Sequence, residues 1–330
     1  DLHLCDRRQR QMCIRDRHTH DCHCGCEHDH GMEERSEEFA KVNADKYHEA
    51  FGKFESVGTN EEVKAQVTAL LDKHAKENFT PEVLKKIHGF IDLTSLTSLD
   101  TKESIWKMVE SVNDYEGTRP DVPNVAAICV YPIFVETVKQ ALTAEHVKIA
   151  AVSGGFPASQ TFTEVKVAET AMCVMEGADE IDVVINLGCF MEGNYEDMCD
   201  ELAEIKDSCR DACLKVILET GALATAENIR KASILALYSN ADFIKTSTGK
   251  GYPGASPEAA YIMCQVIRRY HELTGRKVGI KVAGGIRTAE DAVNYYTIVK
   301  EVLGNEWLTS DLFRIGASSL VGDIEHRLGK

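Results

Sequence analysis

The chain has 330 residues, 44% of them apolar, and a formal net charge of −16 at pH 7. This acidity opposes binding to nucleic acid and to anionic membrane surfaces, so we expect neither partner, and we expect any phosphate to bind in a local basic pocket. No stretch approaches the ~18 consecutive apolar residues of a membrane span. No apolar segment follows the basic residues Arg7, Arg8 and Arg10, as it would in a secretory signal. These features favour a cytoplasmic protein.

The first 31 residues are predicted to lie outside the fold. Residues 1–17 show no helical or strand period, and their string RRQRQMCIRDR resembles a translated sequencing adaptor, so we interpret them as an artefact. Residues 18–31 are rich in His and Cys and could bind a metal through His18–His30. Single residues separate these cysteines, whereas zinc sites usually separate them by about two to four. An artefactual or disordered tail is therefore the preferred interpretation, with Met32 as the natural start.

Residues 32–87 are predicted to form a helical extension of three helices. In the first, apolar residues recur at helical spacing. Thr59 with Glu62 forms a capping box at the start of the second. Thr80 with Pro81 supplies the N-cap and first-turn signals of the third.

Residues 88–330 are predicted to form a (β/α)8 TIM barrel. Short apolar runs alternate with amphipathic stretches, and the runs are mostly continuous, as expected for parallel strands buried on both faces. A doubly wound sheet usually has fewer strands, and its G-x-G-x-x-G fingerprint is absent after the first run. The runs are Phe90–Leu93, Val125–Val130, Val147–Val152, Glu180–Ile185, Leu214–Leu218, Phe243–Lys245, Val278–Val282 and Leu312–Ile315. Helix starts are predicted at Asp100 with Glu103, Ser256 with Pro257, and Thr288 with Asp291.

The cysteines of this region indicate a reduced protein rather than a disulfide framework. Of twelve cysteines, five lie in the first 26 residues, and the rest stand singly in apolar or helical stretches. Reduced intracellular proteins use Cys in this way, as a small hydrophobic residue. These cysteines are Cys129, Cys173, Cys189, Cys199, Cys209, Cys213 and Cys264.

Polar residues at strand ends are the candidate catalytic groups, because TIM barrels carry their chemistry at the C-terminal ends of the strands. Asp92 lies in strand one, Asp182 in strand four, Lys245 at the end of strand six and Lys281 at the end of strand seven. Singly, each has an ordinary interpretation as a solvated or capping residue. Strands six and seven are roughly 5 Å apart, however, so the two lysines can lower each other's pKa and release a free amine that attacks a carbonyl. Asp182 could then move protons through a water.

The loops after strands six, seven and eight predict a phosphate site. Barrels commonly hold phosphate with the last two loops and a helix N-terminus, where glycines let backbone N–H groups approach the oxygens. Ordinary tight turns are the alternative for either loop. The Thr-Gly-Lys after strand six adds a cation but is not a P-loop. The candidate phosphate contacts are Lys250, Gly284, Gly285, Gly316, Ser318 and Ser319.

Several segments of the sequence resemble the deoxyribose-phosphate aldolase family, the class I aldolases that work through a Schiff base. The resemblance spans Ile91 to Leu320 and includes ADFIKTSTGK at 241–250, GIKVAGGIRTAEDA at 279–292 and FRIGASSL at 313–320. It implies reversible cleavage of 2-deoxy-D-ribose 5-phosphate to D-glyceraldehyde 3-phosphate and acetaldehyde, as in deoxyribonucleotide catabolism, with no cofactor or metal. Val282 departs from the family's pattern, since many members have Pro after the lysine.

The resemblance also implies roles for individual residues. Lys245 forms the imine, Lys281 tunes it and Asp182 relays protons. Asp92, Cys129 and Thr246 support the site, and a homodimer is possible. Three other functions are alternatives: another Schiff-base lyase on phosphorylated sugars, a metal-binding protein that acts through His18–His30, and a metal-dependent aldolase or epimerase on the same barrel. The last would need His and carboxylate ligands at strand ends, and no His after Met32 ends a predicted strand.

Overall fold

Eight parallel strands close into a barrel in chain order, with β1 paired to both β2 and β8. This computed structural model describes residues 46–116 and 118–329, so the predictions for residues 1–31 lie outside the described residues. The strands are β1 (Ile91–Thr94), β2 (Ala127–Val130), β3 (Lys148–Ser153), β4 (Glu180–Val184), β5 (Cys213–Ile217), β6 (Phe243–Lys245), β7 (Gly279–Ala283) and β8 (Phe313–Ala317). The TIM barrel and all eight predicted strands are confirmed.

Helices alternate with the strands and cover the outside of the barrel. The helices are α1 (Asn60–Asn78), α2 (Pro81–His88), α3 (Lys102–Glu116), α4 (Val135–Ala141), α5 (Thr163–Glu176), α6 (Leu187–Met191), α7 (Tyr195–Cys209), α8 (Thr220–Leu223), α9 (Ala226–Tyr238), α10 (Pro257–Thr274), α11 (Ala289–Leu303) and α12 (Leu320–Arg327). Short 3-10 turns lie at Pro132–Phe134 and Asn305–Trp307. Across the described ranges, no helix combines the length and apolar character that crossing a membrane requires.

The helices before β1 pack against the helices that follow β6, β7 and β8. Helix α1 contacts α10 and α11, and α2 contacts α11 and α12. Val63 and Val67 of α1 and Ile87 of α2 are buried in the same core cluster as the barrel. This apolar contact, rather than intrinsic helix propensity, is the main source of stability for helices in a folded protein.

Most predicted helix starts are confirmed, and one is wrong. Thr59 and Thr288 form capping boxes with Glu62 and Asp291, while Thr80 and Ser256 accept N-terminal backbone N–H groups ahead of their prolines.

Helix α3 is the exception. Its first turn is capped by Thr101, whose Oγ1 accepts the Ser104 N–H at 3.1 Å. The Asp100 carboxylate instead accepts hydrogen bonds from Ser95 Oγ and Thr97 N in the loop after β1. Asp100 therefore stabilises this loop and not the helix.

Candidate active site

Charged side chains from six strands meet inside the barrel, each no more than 5% exposed. Alternation along a strand directs every second residue inward, which places Glu180 and Asp182 of β4 on the same face. The register sets Lys245 beside Lys281, and Lys281 beside Arg314, on neighbouring strands. The interior charges are Asp92, Glu180, Asp182, Lys215, Lys245, Lys281 and Arg314.

Asp182 is the centre of this group. Its Oδ2 accepts hydrogen bonds from Lys245 Nζ at 2.8 Å and from Lys281 Nζ at 2.8 Å. Its Oδ1 accepts a third from Lys215 Nζ at 3.0 Å. The structure therefore brings together Asp182, Lys245 and Lys281, three of the four residues that the strand ends predicted, and adds Lys215.

The other cations have further carboxylate partners, which Lys245 lacks. Lys281 Nζ lies 2.5 Å from Asp92 Oδ2, and Lys215 Nζ lies 2.5 Å from Glu180 Oε2. Arg314 bridges the two carboxylates, at 2.6 Å from Asp92 Oδ1 and at 2.7 and 3.1 Å from the Glu180 oxygens. Among the described residues, Lys245 forms an ion pair with Asp182 only. It shares the Oδ2 atom of that carboxylate with Lys281.

These contacts separate the lysines by pKa. Burial, followed by the nearby Lys281 ammonium, lowers the pKa of Lys245 more than Asp182 raises it. Burial also acts to lower the pKa of Lys281, but the Asp182 and Asp92 carboxylates outweigh it and the pKa of Lys281 is raised. Lys245 is thus the interior amine that most readily loses its proton. Burial has a larger effect than the like-charge repulsion on which the sequence argument relied.

Asp182 remains a carboxylate. Burial opposes its ionisation, but Lys215, Lys245 and Lys281 together hold its pKa well below the ordinary value. It can therefore accept hydrogen bonds from the three surrounding amines.

Lys215, Glu180 and Arg314 were missed from the sequence. Each stands within an otherwise apolar strand, in CLKVI, EIDVV and FRIGA. A charge in a strand buried on both faces requires a partner, and the barrel interior is where partners are available. That pattern could have identified all three.

The residues predicted to support the site lie around the same interior. Thr246 Oγ1 accepts the Ala283 N–H at 3.0 Å and donates to the Ala283 carbonyl at 3.2 Å, which joins the ends of β6 and β7. Cys129 is fully buried in a cluster with apolar residues of β2 and β3, and burial raises the pKa of its thiol. Val282 belongs to the main hydrophobic core cluster, on the face of β7 opposite Lys281.

The glycine loops lie at the C-terminal rim. Gly284 and Gly285 have φ of 92° and 84°, the left-handed region that favours glycine. A Cβ on Gly284 would lie 2.9 Å from the Gly254 Cα, so the loops after β6 and β7 touch through glycines. A Cβ on Gly316 would lie 2.9 Å from the Ala283 Cβ.

The polar phosphate candidates lie on the same rim. Ser318 and Ser319 are exposed at the start of α12, and Ser319 makes no side-chain capping bond there. Lys250 is exposed in the loop after β6. Their hydroxyl and ammonium groups therefore remain accessible to a ligand at this end of the barrel.

Glu219, which the sequence did not suggest, braces the β6 loop. It is 2% exposed and has a left-handed backbone, with φ 55°. Its carboxylate accepts hydrogen bonds from Thr248 Oγ1 at 2.5 Å and from Thr248 N at 3.2 Å. Burial raises the pKa of Glu219, and the bonds from Thr248 oppose that effect.

Comparison with known proteins gives the family. A sequence model described as DeoC/LacD family aldolase matches residues 88–318. The chain belongs to this aldolase family. The matched region of this DeoC/LacD aldolase contains all seven interior charges, and the predicted family is confirmed.

Individual relatives agree. Mouse deoxyribose-phosphate aldolase is 41% identical over 271 residues, covering 78% of this chain and 84% of the mouse protein. The human deoxyribose-phosphate aldolase is 40% identical over 263 residues, covering 77% and 83%. A solved structure described as a unique tetrameric deoxyribose phosphate aldolase from Aeropyrum pernix is 27% identical, with a TM-score of 0.59 over 80% of this chain and 97% of that chain. This aldolase therefore matches most of the length of each relative.

Proposed function

We propose that this chain is a class I aldolase that reversibly cleaves 2-deoxy-D-ribose 5-phosphate to D-glyceraldehyde 3-phosphate and acetaldehyde. The mammalian relatives are named for deoxyribose phosphate. The observation that carries the mechanism is the contrast between the lysines. Lys245 is buried, its pKa is lowered, and it contacts one carboxylate oxygen that it shares with Lys281. Lys281 beside it contacts two carboxylates.

The free amine of Lys245 attacks the carbonyl carbon of the open-chain sugar phosphate, and loss of water gives a protonated imine. The C3 hydroxyl gives its proton to a water while the electron pair of the breaking C–C bond moves into the iminium, so that glyceraldehyde 3-phosphate leaves and an enamine of acetaldehyde remains. Protonation of the enamine carbon and hydrolysis of the imine release acetaldehyde and restore the amine. The iminium is the electron sink, so we propose that no metal or cofactor is required.

Lys281 and Asp182 have different parts in this cycle. Lys281 keeps its proton because its pKa is raised, and it can donate hydrogen bonds to the oxygen expelled as water. Asp182 accepts hydrogen bonds from both amines through one oxygen, so a proton can pass between them, or to a water, by a short path.

We propose that the phosphate binds at the C-terminal rim between the loops after β6, β7 and β8. The contacting residues would be Lys250, Gly284, Gly285, Gly316, Ser318 and Ser319. Glycine backbones there expose N–H groups, the serines add hydroxyl donors, and Lys250 adds a cation in a chain of net charge −16.

We also propose a homodimer in the cytoplasm. Helix α5 and the residue before it expose Phe162, Val165, Met172 and Met175, which are 50–78% exposed and could be covered by a second copy. The seven cysteines of the described residues are free, as suits a reducing compartment. Light scattering on the purified protein measures the oligomeric state, and a monomer would contradict the dimer.

Borohydride trapping with acetaldehyde, followed by peptide mass mapping, tests the mechanism. We expect the label on Lys245, loss of both turnover and trapping in Lys245→Ala, and no inhibition by EDTA. Lys107→Ala is the matched control, because Lys107 is a 68% exposed lysine on α3 and should leave both unchanged. Absence of trapping together with inhibition by EDTA would exclude a class I aldolase. Turnover of other phosphorylated sugars, but not deoxyribose 5-phosphate, would indicate a different Schiff-base lyase.

A further inference from the structure

The cations and carboxylates inside the barrel are unequal in number. In their ordinary ionisation states, Lys215, Lys245, Lys281 and Arg314 carry four positive charges, and Asp92, Glu180 and Asp182 carry three negative charges. We infer that Arg314 and Glu180, at the end of the barrel away from the reacting amine, are positioning residues whose charges act on Lys245 in opposite directions: the Arg314 cation favours the free amine, and the Glu180 carboxylate favours its protonated form. This inference rests on the proposed function.

A continuous series of contacts connects Arg314 to Lys245. Arg314 Nη1 donates to Asp92 Oδ1 at 2.6 Å, and Asp92 Oδ2 lies 2.5 Å from Lys281 Nζ. Lys281 and Lys245 then share Asp182 Oδ2 at 2.8 Å each. Because the guanidinium does not lose its proton, Asp92 and Glu180 are always partly neutralised by it. The proton that this group of charges gives up most easily therefore comes from one of the lysines.

Lys245 is the lysine whose deprotonation leaves the fewest carboxylates uncompensated. Lys215 has Asp182 and Glu180 as partners, and Lys281 has Asp182 and Asp92, so deprotonating either leaves carboxylates uncompensated in a buried site. Deprotonating Lys245 leaves Asp182 with two other cations. The amine selected by this comparison is the one at the C-terminal end of β6, beside the substrate rim.

Arg314 and Glu180 themselves touch no part of that rim. Both line a polar cavity at the opposite end of the barrel, together with Phe243, Asp242 and Arg276. Arg314 Nε also donates to the Ser310 carbonyl before β8. They therefore act on the reaction through the interior charges and not by contact with the substrate, which is what distinguishes a positioning residue from a catalytic one.

The remaining groups around Lys245 do not alter this comparison. From β2 the interior receives Cys129, whose thiol pKa is raised by burial, and from β3 it receives Ala150 and Val152. Glu219, after β5, also influences Lys245, but its carboxylate is bonded to Thr248 and contacts no cation of the group.

The test is the pH dependence of amine reactivity at Lys245 in the full chain. Arg314→Met removes a cation, so the protonated amine is repelled less and the pKa of Lys245 rises. The pH profile of acetaldehyde trapping therefore moves to higher pH. Removing a carboxylate with Glu180→Gln leaves the protonated amine less stabilised, and the profile moves to lower pH. Each shift should be about one pH unit, the size expected for a unit charge on the order of 10 Å away at an effective dielectric constant of about 20.

Two further variants separate charge from structure. The double variant Glu180→Gln/Arg314→Met keeps the surplus of one cation and should return the profile towards its wild-type position. Arg314→Lys keeps the charge and should leave the profile in place. If Arg314→Met does not fold, the downward shift in Glu180→Gln and its reversal in the double variant still decide the question, because the double variant leaves neither partner as a lone buried charge.

Lower rates without a shift, or shifts of both single variants in the same direction, would overturn the inference. Reductive methylation with formaldehyde, mapped by mass spectrometry, reads the reactivity of Lys245 without any aldolase turnover. Opposite shifts by methylation, with no acetaldehyde trapping in the wild type, would uphold the charge argument and reject the proposed function. Acetaldehyde trapping on Lys245 with a pH dependence that no variant shifts would support the proposed function and reject the charge argument.

Discussion

Replacing Lys281 by leucine tests how the neighbouring ammonium prepares Lys245. The leucine removes a like charge and leaves Asp182 Oδ2 to Lys245 alone, and both changes favour the protonated amine. The pKa of Lys245 should therefore rise, and the free amine should appear only at higher pH. We expect activity to fall at neutrality and its profile to move in the alkaline direction, towards the ~10.4 of an ordinary lysine.

The structure sets the size of this shift. Each amine nitrogen lies 2.8 Å from the same oxygen of Asp182, so the two nitrogens are separated by at most twice that distance. Two unit charges about 5 Å apart, at an effective dielectric constant of ~20, interact by about 3 kcal/mol, which corresponds to about two pKa units. Burial of Lys245 persists in the variant, so the pKa should remain below that of an exposed lysine.

The assay is the rate of deoxyribose 5-phosphate cleavage against pH, with acetaldehyde trapping over the same range. Lys281→Arg is the matched control, since it keeps the cation and should shift the profile much less. Thermal melting must accompany both variants, because breaking a buried ion pair costs about 3–5 kcal/mol. A profile that stays in place or moves to lower pH in folded Lys281→Leu would refute the reasoning. Acetaldehyde mapped to Lys281 in the wild type would reverse the two roles.

Three further predictions address the tail, the rim and the β6 loop. Deleting the residues before Met32 should leave the melting temperature and activity unchanged, and a clear fall in melting temperature would show that the tail belongs to the fold. Ser318→Asp or Ser319→Asp should raise KM for deoxyribose 5-phosphate far more than for unphosphorylated deoxyribose, because a carboxylate repels phosphate; equal effects would remove phosphate binding from these serines. Glu219→Ala should lower kcat/KM about tenfold by releasing Thr248, since a hydrogen bond to a charged group contributes about 1.5–3 kcal/mol, while Glu219→Gln should retain most activity; equal losses in both variants would contradict that bracing role.

The amino-acid sequence determined the elements and the ends of the key strands. Apolar runs marked each strand because both faces of a parallel barrel strand are buried, and β6 was predicted with its observed bounds, Phe243–Lys245. Capping boxes at Thr59 and Thr288 were readable because their partners lie three residues away. Asp100 shows the limit of such local signals, since Ser95 and Thr97 compete for its carboxylate once the loop folds.

Only the closed barrel decided which inward charges meet. Arg314 reaches Asp92 across 222 residues of sequence because β8 pairs with β1, a contact that no spacing along the chain encodes. The pKa contrast between Lys245 and Lys281 likewise depends on which carboxylates each amine touches. Those partners come from β1 and β4, on other sides of the barrel. Sequence alternation shows that a residue faces inward, but barrel closure and register determine its partners there, and with them which lysine has its pKa lowered.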